Sequence, residues 1–263
     1  MKEIEANKVA WGLLSKEHYE HFKKRLEENN ATLGSIIESE IGDLSGKCIL
    51  HLQCNVGVDS VLLARKGAIV TGVDLVHENI YYARKLAEDF SISNISFIEA
   101  DILDFKDKHS QKYDMVFTSE GVLMWLPDLN KWARTISYLL KDDGVLYVLD
   151  IHPFSLAFDE TKLKDDILEI KYPYFKKEPD KADTIGGYAS GGKEAVAYEW
   201  MHSVSDIINS LIKAGLTIEW FNEFDTSCYD IGSMESCGGG QYIYPFFREK
   251  IPFTFSLKAN RRF

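Results

Sequence analysis

The sequence predicts an α/β protein built on an open, mainly parallel sheet with helices on both faces. Short apolar runs recur along the chain, and amphipathic helical stretches separate them. Turn residues follow most of the runs on their carboxyl side. Right-handed crossovers between parallel strands then place helices on both faces of the sheet.

The first strand is Cys48-Ile49-Leu50-His51-Leu52, short and mostly apolar, as a strand buried on both faces should be. A turn-rich segment from Gln53 to Gly57 leads into a helix carrying Val61, Leu62, Leu63 and Ala64. Residues 68–74 read as the second strand and end on Asp74. Ile80, Ala83, Leu86 and Ala87 recur at helical spacing and predict a helix over 78–90. The third strand is 95–99 and the fourth 113–118. A helix over 129–140 is closed by Lys141-Asp142-Asp143-Gly144, a stop and turn signal, and the fifth strand follows at 145–150. Ser203 and Asp206 have capping-box spacing ahead of an apolar face of Val204, Ile207, Ile208, Leu211 and Ile212, which Gly215 ends. Residues 217–221 and 251–259 read as the sixth and seventh strands.

Two regions fall outside this rhythm. Residues 1–45 are polar and helical, with small apolar patches at Ala10, Trp11, Leu13 and Leu14 and at Leu33, Ile36 and Ile37. Neither patch makes a core alone, so 1–45 is expected to be a helical cap on a main domain over 46–263. Residues 153–202 carry charge clusters and aromatics, with one candidate strand at 195–200. An irregular insert of that length inside a compact domain reads as a lid or as part of an acceptor site. The stretch 229–247 reads as another loop rich in glycine and aromatics.

The chain has 263 residues, with 30 Lys plus Arg against 41 Asp plus Glu, a formal net charge of −11. No basic stripe is present to displace counterions from phosphates, which argues against a nucleic-acid partner and an anionic membrane surface. No run approaches the length of a membrane span, and the first residues show no apolar signal core. The cysteines are Cys48, Cys54, Cys228 and Cys237; none form a CxxC pair, which suits free thiols in a cytoplasmic protein. His18 and His21 lie three apart without a ligand cluster, so they read as solvated surface histidines, and no metal site is expected. No partner protein can be read from the chain.

In an open parallel sheet, ligands gather beyond the carboxyl ends of the strands, near the switch in strand order. Gln53-Cys54-Asn55-Val56-Gly57 follows the first strand, Asp74 ends the second, Asp101 follows the third, Ser119-Glu120-Gly121 the fourth and His152-Pro153 the fifth. A tight turn into a helix offers backbone N–H groups to a ligand. An Asp at the tip of the second strand can accept hydrogen bonds from two ribose hydroxyls. Asp101 can meet an adenine amino group or cap the turn after it. A dinucleotide site needs a G-x-G-x-x-G turn, whereas this turn has only Gly57, and no Gly-Lys-Ser/Thr marks a nucleotide-triphosphate loop.

These residues carry a resemblance. Leu50-His51-Leu52-Gln53-Cys54-Asn55-Val56-Gly57, Val70-Thr71-Gly72-Val73-Asp74-Leu75, Tyr113-Asp114-Met115-Val116-Phe117 and Leu139-Leu140-Lys141-Asp142-Asp143-Gly144 resemble the motifs of class I S-adenosylmethionine-dependent methyltransferases. The first motif of that family has an acid and three alternating glycines. Here His51 stands for the acid, Gln53 and Asn55 for the first two glycines, and Gly57 is kept. The run resembles a bacterial and archaeal small-molecule subgroup whose turn reads histidine-leucine-glutamine-cysteine.

The resemblance implies a Rossmann-like sheet of seven strands with strand seven antiparallel, and S-adenosylmethionine as cofactor with S-adenosylhomocysteine as product. It implies that Gln53, Asn55 and Gly57 approach the methionine end and ribose, that Asp74 binds the ribose hydroxyls, and that Leu75 packs on adenine. Asp101 and Ile102 would hold the adenine edge, and Ser119 would sit under the methionine part. N-terminal helices often close such a site, and Trp11 and Tyr19 are the candidates.

Methyl transfer needs a base only where the acceptor must lose a proton. Glu120, His152 and His202 are the candidates; their structural alternatives are a helix cap or charge-orienting residue, a loop anchor, and a cap or packing residue. His51 reads as a buried, hydrogen-bonded histidine rather than a base. Trp125, Phe154, Tyr172, Tyr174, Phe175, Tyr198 and Trp200 are expected near the mouth or in the insert, where some would enclose a small acceptor. The expected function is transfer of a methyl group to a small molecule by in-line displacement. The alternatives are a non-catalytic binding or regulatory protein on the same fold, or a methyltransferase acting on RNA or protein.

Overall fold

The computed structural model describes residues 2–28, 31–186, 189 and 191–261. The chain opens with three helices, α1 (Lys2–Gly12), α2 (Ser15–Glu27) and α3 (Ser35–Glu40). It then alternates β1 (Cys48–Leu52), α4 (Val58–Arg65), β2 (Ile69–Asp74), α5 (His77–Asp89), β3 (Ile95–Glu99), β4 (Tyr113–Ser119), α6 (Leu129–Leu139) and β5 (Leu140–Ile151). After β5 come α7 (Glu160–Leu163), β6 (Asp180–Ile185), β7 (Lys193–Glu199), α8 (Val204–Lys213), β8 (Thr217–Phe224), β9 (Glu235–Gly238), β10 (Gln241–Ile243) and β11 (Thr254–Asn260).

Seven strands form one sheet in the order β3-β2-β1-β4-β5-β11-β8. β3, β2, β1, β4 and β5 run parallel, and β11 lies antiparallel between β5 and β8. This is the Rossmann-like sheet with an antiparallel last strand. The order reverses between β1 and β4, which makes that edge the topological switch point.

The alternation of strand side chains explains the two layers. Leu50, Leu52, Val116, Leu146, Val148, Phe255 and Leu257 face Trp132, Ile136 and Leu139 of α6 and Ile207 and Leu211 of α8. Their neighbours Ile49, Met115, Phe117, Tyr147 and Leu149 face Leu26 of α2, Ile37 of α3, and Val61, Leu62 and Leu63 of α4. Trp132 is wholly buried. The capping box at Ser203 and Asp206 starts α8 as its sequence spacing predicts.

Beyond its apolar contacts, the helical cap is fastened to three strands of the sheet through the Glu40 carboxylate. Glu40 at the end of α3 accepts hydrogen bonds from Tyr147 Oη (2.8 Å), Asn222 Nδ2 (2.9 Å) and Ser256 Oγ (2.9 Å), on β5, β8 and β11. Nearer the amino terminus, Asn7 acts as a backbone mimic. Its Nδ2 donates to Tyr198 O and its Oδ1 accepts from Tyr198 N, which docks α1 along β7.

Several expectations are corrected. The insert is not irregular: β6 and β7 pair as an antiparallel hairpin. The loop at 229–247 contains the β9–β10 hairpin. The last strand starts at Thr254 rather than 251. The stretch 141–144 does not stop the chain before β5; it is an irregular opening of that strand, with Asp143 left-handed at φ 61°. His18 is fully buried rather than solvated, because α2 turns it toward Asn55. Among the described residues no helix is long and apolar enough to cross a membrane.

Gly72 in β2 is set by packing. A Cβ there would lie 2.6 Å from the Phe97 ring and 3.0 Å from Cys54 Sγ. Gly72→Ala is expected to lower unfolding stability by about 1–3 kcal/mol, the usual cost of overpacking. Urea titration measures this, and an unchanged midpoint would show that Phe97 relaxes freely.

Candidate functional site

A cavity of about 780 Å³ opens beyond the carboxyl ends of β1 to β4. Its walls include Gln53 and Asn55 after β1, Asp74 and Leu75 at the tip of β2, Asp101 and Ile102 after β3, and Ser119 and Glu120 at the end of β4. Trp11 of α1 and Trp125 close one side, their rings edge to face at 5.2 Å. Thr184, Ile185 and Glu199 of the β6–β7 hairpin belong to the same lining.

The turn from β1 to α4 alternates left-handed residues. Gln53, Asn55 and Gly57 have φ of 53°, 50° and 81°. A side chain in that region costs about 1–2 kcal/mol, so specific bonds must hold the first two. Asn55 N donates to Asp74 Oδ2 at 2.9 Å, and Asn55 Oδ1 accepts from Val56 N at 2.7 Å. Gln53 Nε2 donates to Val122 O at 3.0 Å. Gly57 has no such freedom: a Cβ would lie 2.9 Å from the Phe97 ring and 3.0 Å from Ala83 Cβ. Gly57 starts α4 and lies outside the cavity lining, which corrects the expectation that it touches the cofactor.

Asp74 is buried and heavily engaged. Oδ1 accepts from Val76 N (2.9 Å) and Asn79 Nδ2 (3.2 Å), while Oδ2 accepts from Asn55 N. Ser15 Oγ on α2 donates to Asn79 Oδ1 at 2.6 Å, so the cap is tied to the same carboxylate. Burial pushes the Asp74 carboxyl up, and these hydrogen bonds oppose it. A carboxylate oxygen accepts more than one donor, so Asp74 retains capacity toward the cavity. Asp101 does both things its sequence position allows: Oδ1 caps Leu103 N at 2.9 Å, and the residue lines the cavity.

On the opposite wall Ser119 Oγ donates to Asp59 Oδ2 at 2.8 Å. The Glu120 carboxyl is pushed up to about 8, first by burial and then by the negative charge of Asp59; the Cys228 thiol and Arg25 pull the other way. The loop carrying Glu120 is held from below by Asp150. That carboxylate accepts from the backbone N–H groups of Gly121, Val122 and Leu123, yet burial still raises it to about 6.

Three expected site residues lie elsewhere. His152 Nδ1 accepts from Phe154 N at 3.1 Å and Nε2 lies 2.9 Å from Glu223, so this histidine anchors a loop. His202 Nε2 donates to Leu126 O at 2.7 Å, outside the main cavity. Tyr19 donates to Asp89 and stacks on Tyr82 at 5.2 Å, fixing α2 to α5. Among the expected aromatics only Trp125 lines the cavity, while Phe154 and Phe175 are exposed and Trp200 is buried behind it. Phe22, Tyr229 and Tyr242 line it instead, with Arg25 and Asp59. Among the described residues no group of His, Cys, Asp and Glu is arranged to hold a metal ion.

A model described as "methyltransferase domain" matches residues 43–194, more than half of the chain. The chain belongs to the methyltransferase domain family. It is 35% identical over 120 residues to the ubiquinone biosynthesis O-methyltransferase of Actinobacillus pleuropneumoniae, a match covering 44% of this chain and 50% of that protein. The chain therefore spans about half the length of that relative. Among solved structures it resembles an S-adenosylmethionine-dependent methyltransferase from Clostridium acetobutylicum, with a TM-score of 0.58 and 15% identity over 93% of this chain and 92% of that one. A second, from Mesorhizobium loti, gives a TM-score of 0.57 and 20% identity over 86% and 96%. These likenesses are ones of fold.

The residues present fit the family's cofactor. Asp74, whose carboxylate can accept hydroxyl donors, and the apolar Leu75 and Ile102 line the same cavity. The buried acceptor Gln53 Oε1 has no hydrogen-bond partner among the described residues and lies in the cavity lining.

The raised Glu120 carboxyl links stability to pH. Its folded value, about 8, lies above the ordinary 4.5, so its contribution favours folding below pH 4.5 and is lost as pH rises through 8. Glu120→Gln removes that loss. The variant is expected to gain stability over the parent at pH 9, with the gain shrinking toward pH 5. Urea midpoints across this range test it; an equal shift at both ends would refute the assignment.

Proposed function

We propose that this protein is an S-adenosylmethionine-dependent methyltransferase acting on a small molecule with an acidic hydroxyl group. The observation that carries this reading is one covered cavity with a nucleoside end at Asp74, Leu75 and Ile102 and a titratable wall at Glu120. Its volume, about 780 Å³, suits a cofactor and a small acceptor together. When bound, S-adenosylmethionine supplies a methyl group already activated on a sulfonium.

What the chain supplies is alignment, exclusion of water and one proton acceptor. Trp11, Trp125, Phe22 and Tyr242 contribute aromatic rings to the walls. Glu120 takes the proton from the acceptor hydroxyl, and its raised pKa brings it nearer to that of the group it must deprotonate. Asp150 holds the Glu120 loop in place through three backbone N–H groups. The likeness to the A. pleuropneumoniae relative, an O-methyltransferase, supports an oxygen acceptor.

Calorimetric titration with S-adenosylhomocysteine is expected to show binding that Asp74→Ala weakens by at least about 10-fold, the loss of a charge-assisted hydrogen bond. NAD, run in parallel, is expected not to bind; NAD binding without S-adenosylhomocysteine binding would overturn the reading. With a panel of small phenols, kcat/KM is expected to rise with pH to a plateau above about 8. Glu120→Gln should flatten that rise and cost about 10²- to 10⁴-fold in rate. An unchanged profile in the variant would remove Glu120 as the base.

A further inference from the structure

A cation in the cavity lining stands without a counterion. Among the described residues, the lysine and arginine side chains that line the cavity are Lys8 and Arg25. Lys8 pairs with Glu99 at the end of β3. Arg25, in the last turn of α2, is half-buried and pairs with no carboxylate among the described residues. Its Nη2 donates to Thr32 O at 2.7 Å, which fixes one edge of the guanidinium and leaves most of its N–H donors unspent. Helical spacing puts His21 and Phe22 on the face that carries Arg25, and all three line the cavity. The same end is bounded by Gly34 and by Gly240 and Gln241, and Ser35 N donates to Gly239 O at 2.9 Å to join α3 to the β9–β10 hairpin. The charge of Arg25 is felt at Glu120, so it stands on the side of the cavity that holds the titratable wall.

We propose that Arg25 binds a carboxylate on the methyl acceptor, so that the substrate is a hydroxy acid rather than a neutral alcohol or phenol. The inference rests on the methyltransferase reading above and narrows its acceptor. A guanidinium partly withdrawn from water gains most from an anion that takes two parallel N–H groups, and a carboxylate has that geometry. Acids are plentiful in a chain of net charge −11, and Asp59 and Glu120 line the same cavity, yet Arg25 is left for a partner from outside the chain. Those acids also bound the charge of the ligand. A single carboxylate is offset by Arg25, whereas a phosphate dianion would meet their repulsion. His21 assists without competing: burial, and then the charge of Arg25, hold its imidazole below the ordinary value, so at physiological pH it is a neutral N–H donor. With its carboxylate held at Arg25, a small hydroxy acid presents its hydroxyl toward the Glu120 side of the cavity.

The probes are the hydroxybenzoates and hydroxyphenylacetates, each beside its methyl ester, titrated calorimetrically into the full chain saturated with S-adenosylhomocysteine. At least one acid should bind about 10- to 100-fold more tightly than its ester, the weight of charge-assisted hydrogen bonds. Arg25→Gln should abolish that preference, and Arg25→Lys, which keeps the charge and loses the paired donors, should keep part of it. S-adenosylhomocysteine should bind parent and variants alike, which also reports that the variants are folded. No preference for the acid in any pair, no binding by any acid, or a preference that survives Arg25→Gln overturns the carboxylate receptor while the methyltransferase reading stands. If Arg25→Gln weakens S-adenosylhomocysteine but not 5′-methylthioadenosine, which has no amino-acid tail, Arg25 serves the cofactor and the receptor is overturned. Failure of the parent to bind S-adenosylhomocysteine overturns both readings. Should Arg25→Gln lose both nucleosides, the preference of the parent and of Arg25→Lys decides.

Discussion

The carboxylate of Asp74 is the junction on which the site depends. Three segments converge on it: the turn after β1 through Asn55 N, the start of α5 through Val76 N, and the body of α5 through Asn79. A fourth, the cap, joins through Ser15 and Asn79. Each N–H offers the buried charge some of what water would give it, and each bond fixes a piece of backbone that has no regular partner of its own. The left-handed Asn55 shows the consequence. Its strain is tolerated because its N–H has one acceptor in reach and its side chain closes on Val56 N. The geometry of this end of the cavity is therefore a by-product of satisfying one buried acid.

A second contrast lies between Asp150 and Glu120. Near the end of β4 Asp150 is buried and Glu120 half-buried, and both carboxyls are raised. Asp150 receives backbone N–H groups from the loop above it and rises only to about 6. Glu120 faces Asp59 without a comparable set of donors and rises to about 8. Environments that push two acids apart assign them different work. The first keeps a loop in place, and the second is left as a titratable group on the cavity wall.

The central sheet is legible in the sequence because β1, β2, β4 and β5 are buried on both faces and read as nearly continuous apolar runs. The hairpins are not. β6 reads Asp-Lys-Ala-Asp-Thr-Ile, and all of β9 is exposed, so neither shows the apolar signal of a buried strand. The tips of the parallel strands are legible too: Asp74, Asp101, Ser119 and Glu120 line the cavity because topology alone carries them there. Asp59 and Asp150 are not, since a first-turn acid reads as a helix-dipole partner and a strand-end acid as a turn residue. Tyr19, expected to close the cofactor site, turns to Asp89 instead, and His18, expected in solvent, is buried. The buried face of α2 is made of Ser15, His18, Tyr19 and Leu26, so polar atoms with distant partners mimic a solvated surface. Those partners, Asn79, Asn55 and Asp89, lie far away in sequence, and no local pattern reveals them.

The cover over the cavity has a different physical character from its floor. Its apolar contact is a small cluster of Ala10, Leu14, Ile185 and Ala197, with Trp11 and Trp125 at its edge, against the much larger clusters on the two faces of the sheet. The rest of its hold is polar: Asn7 on the Tyr198 backbone, and Lys193 on Leu13 O and Glu17. Burial of apolar area stabilises a contact in proportion, so α1 and the β6–β7 hairpin are held by less of it than the helices on the sheet. Trp200 N, bonded to Met124 O at 2.7 Å, ties the root of that hairpin to the loop after β4. The cover and the segment that carries Trp125 and borders Glu120 are thus joined through the backbone, although the cover itself rests on a small apolar cluster.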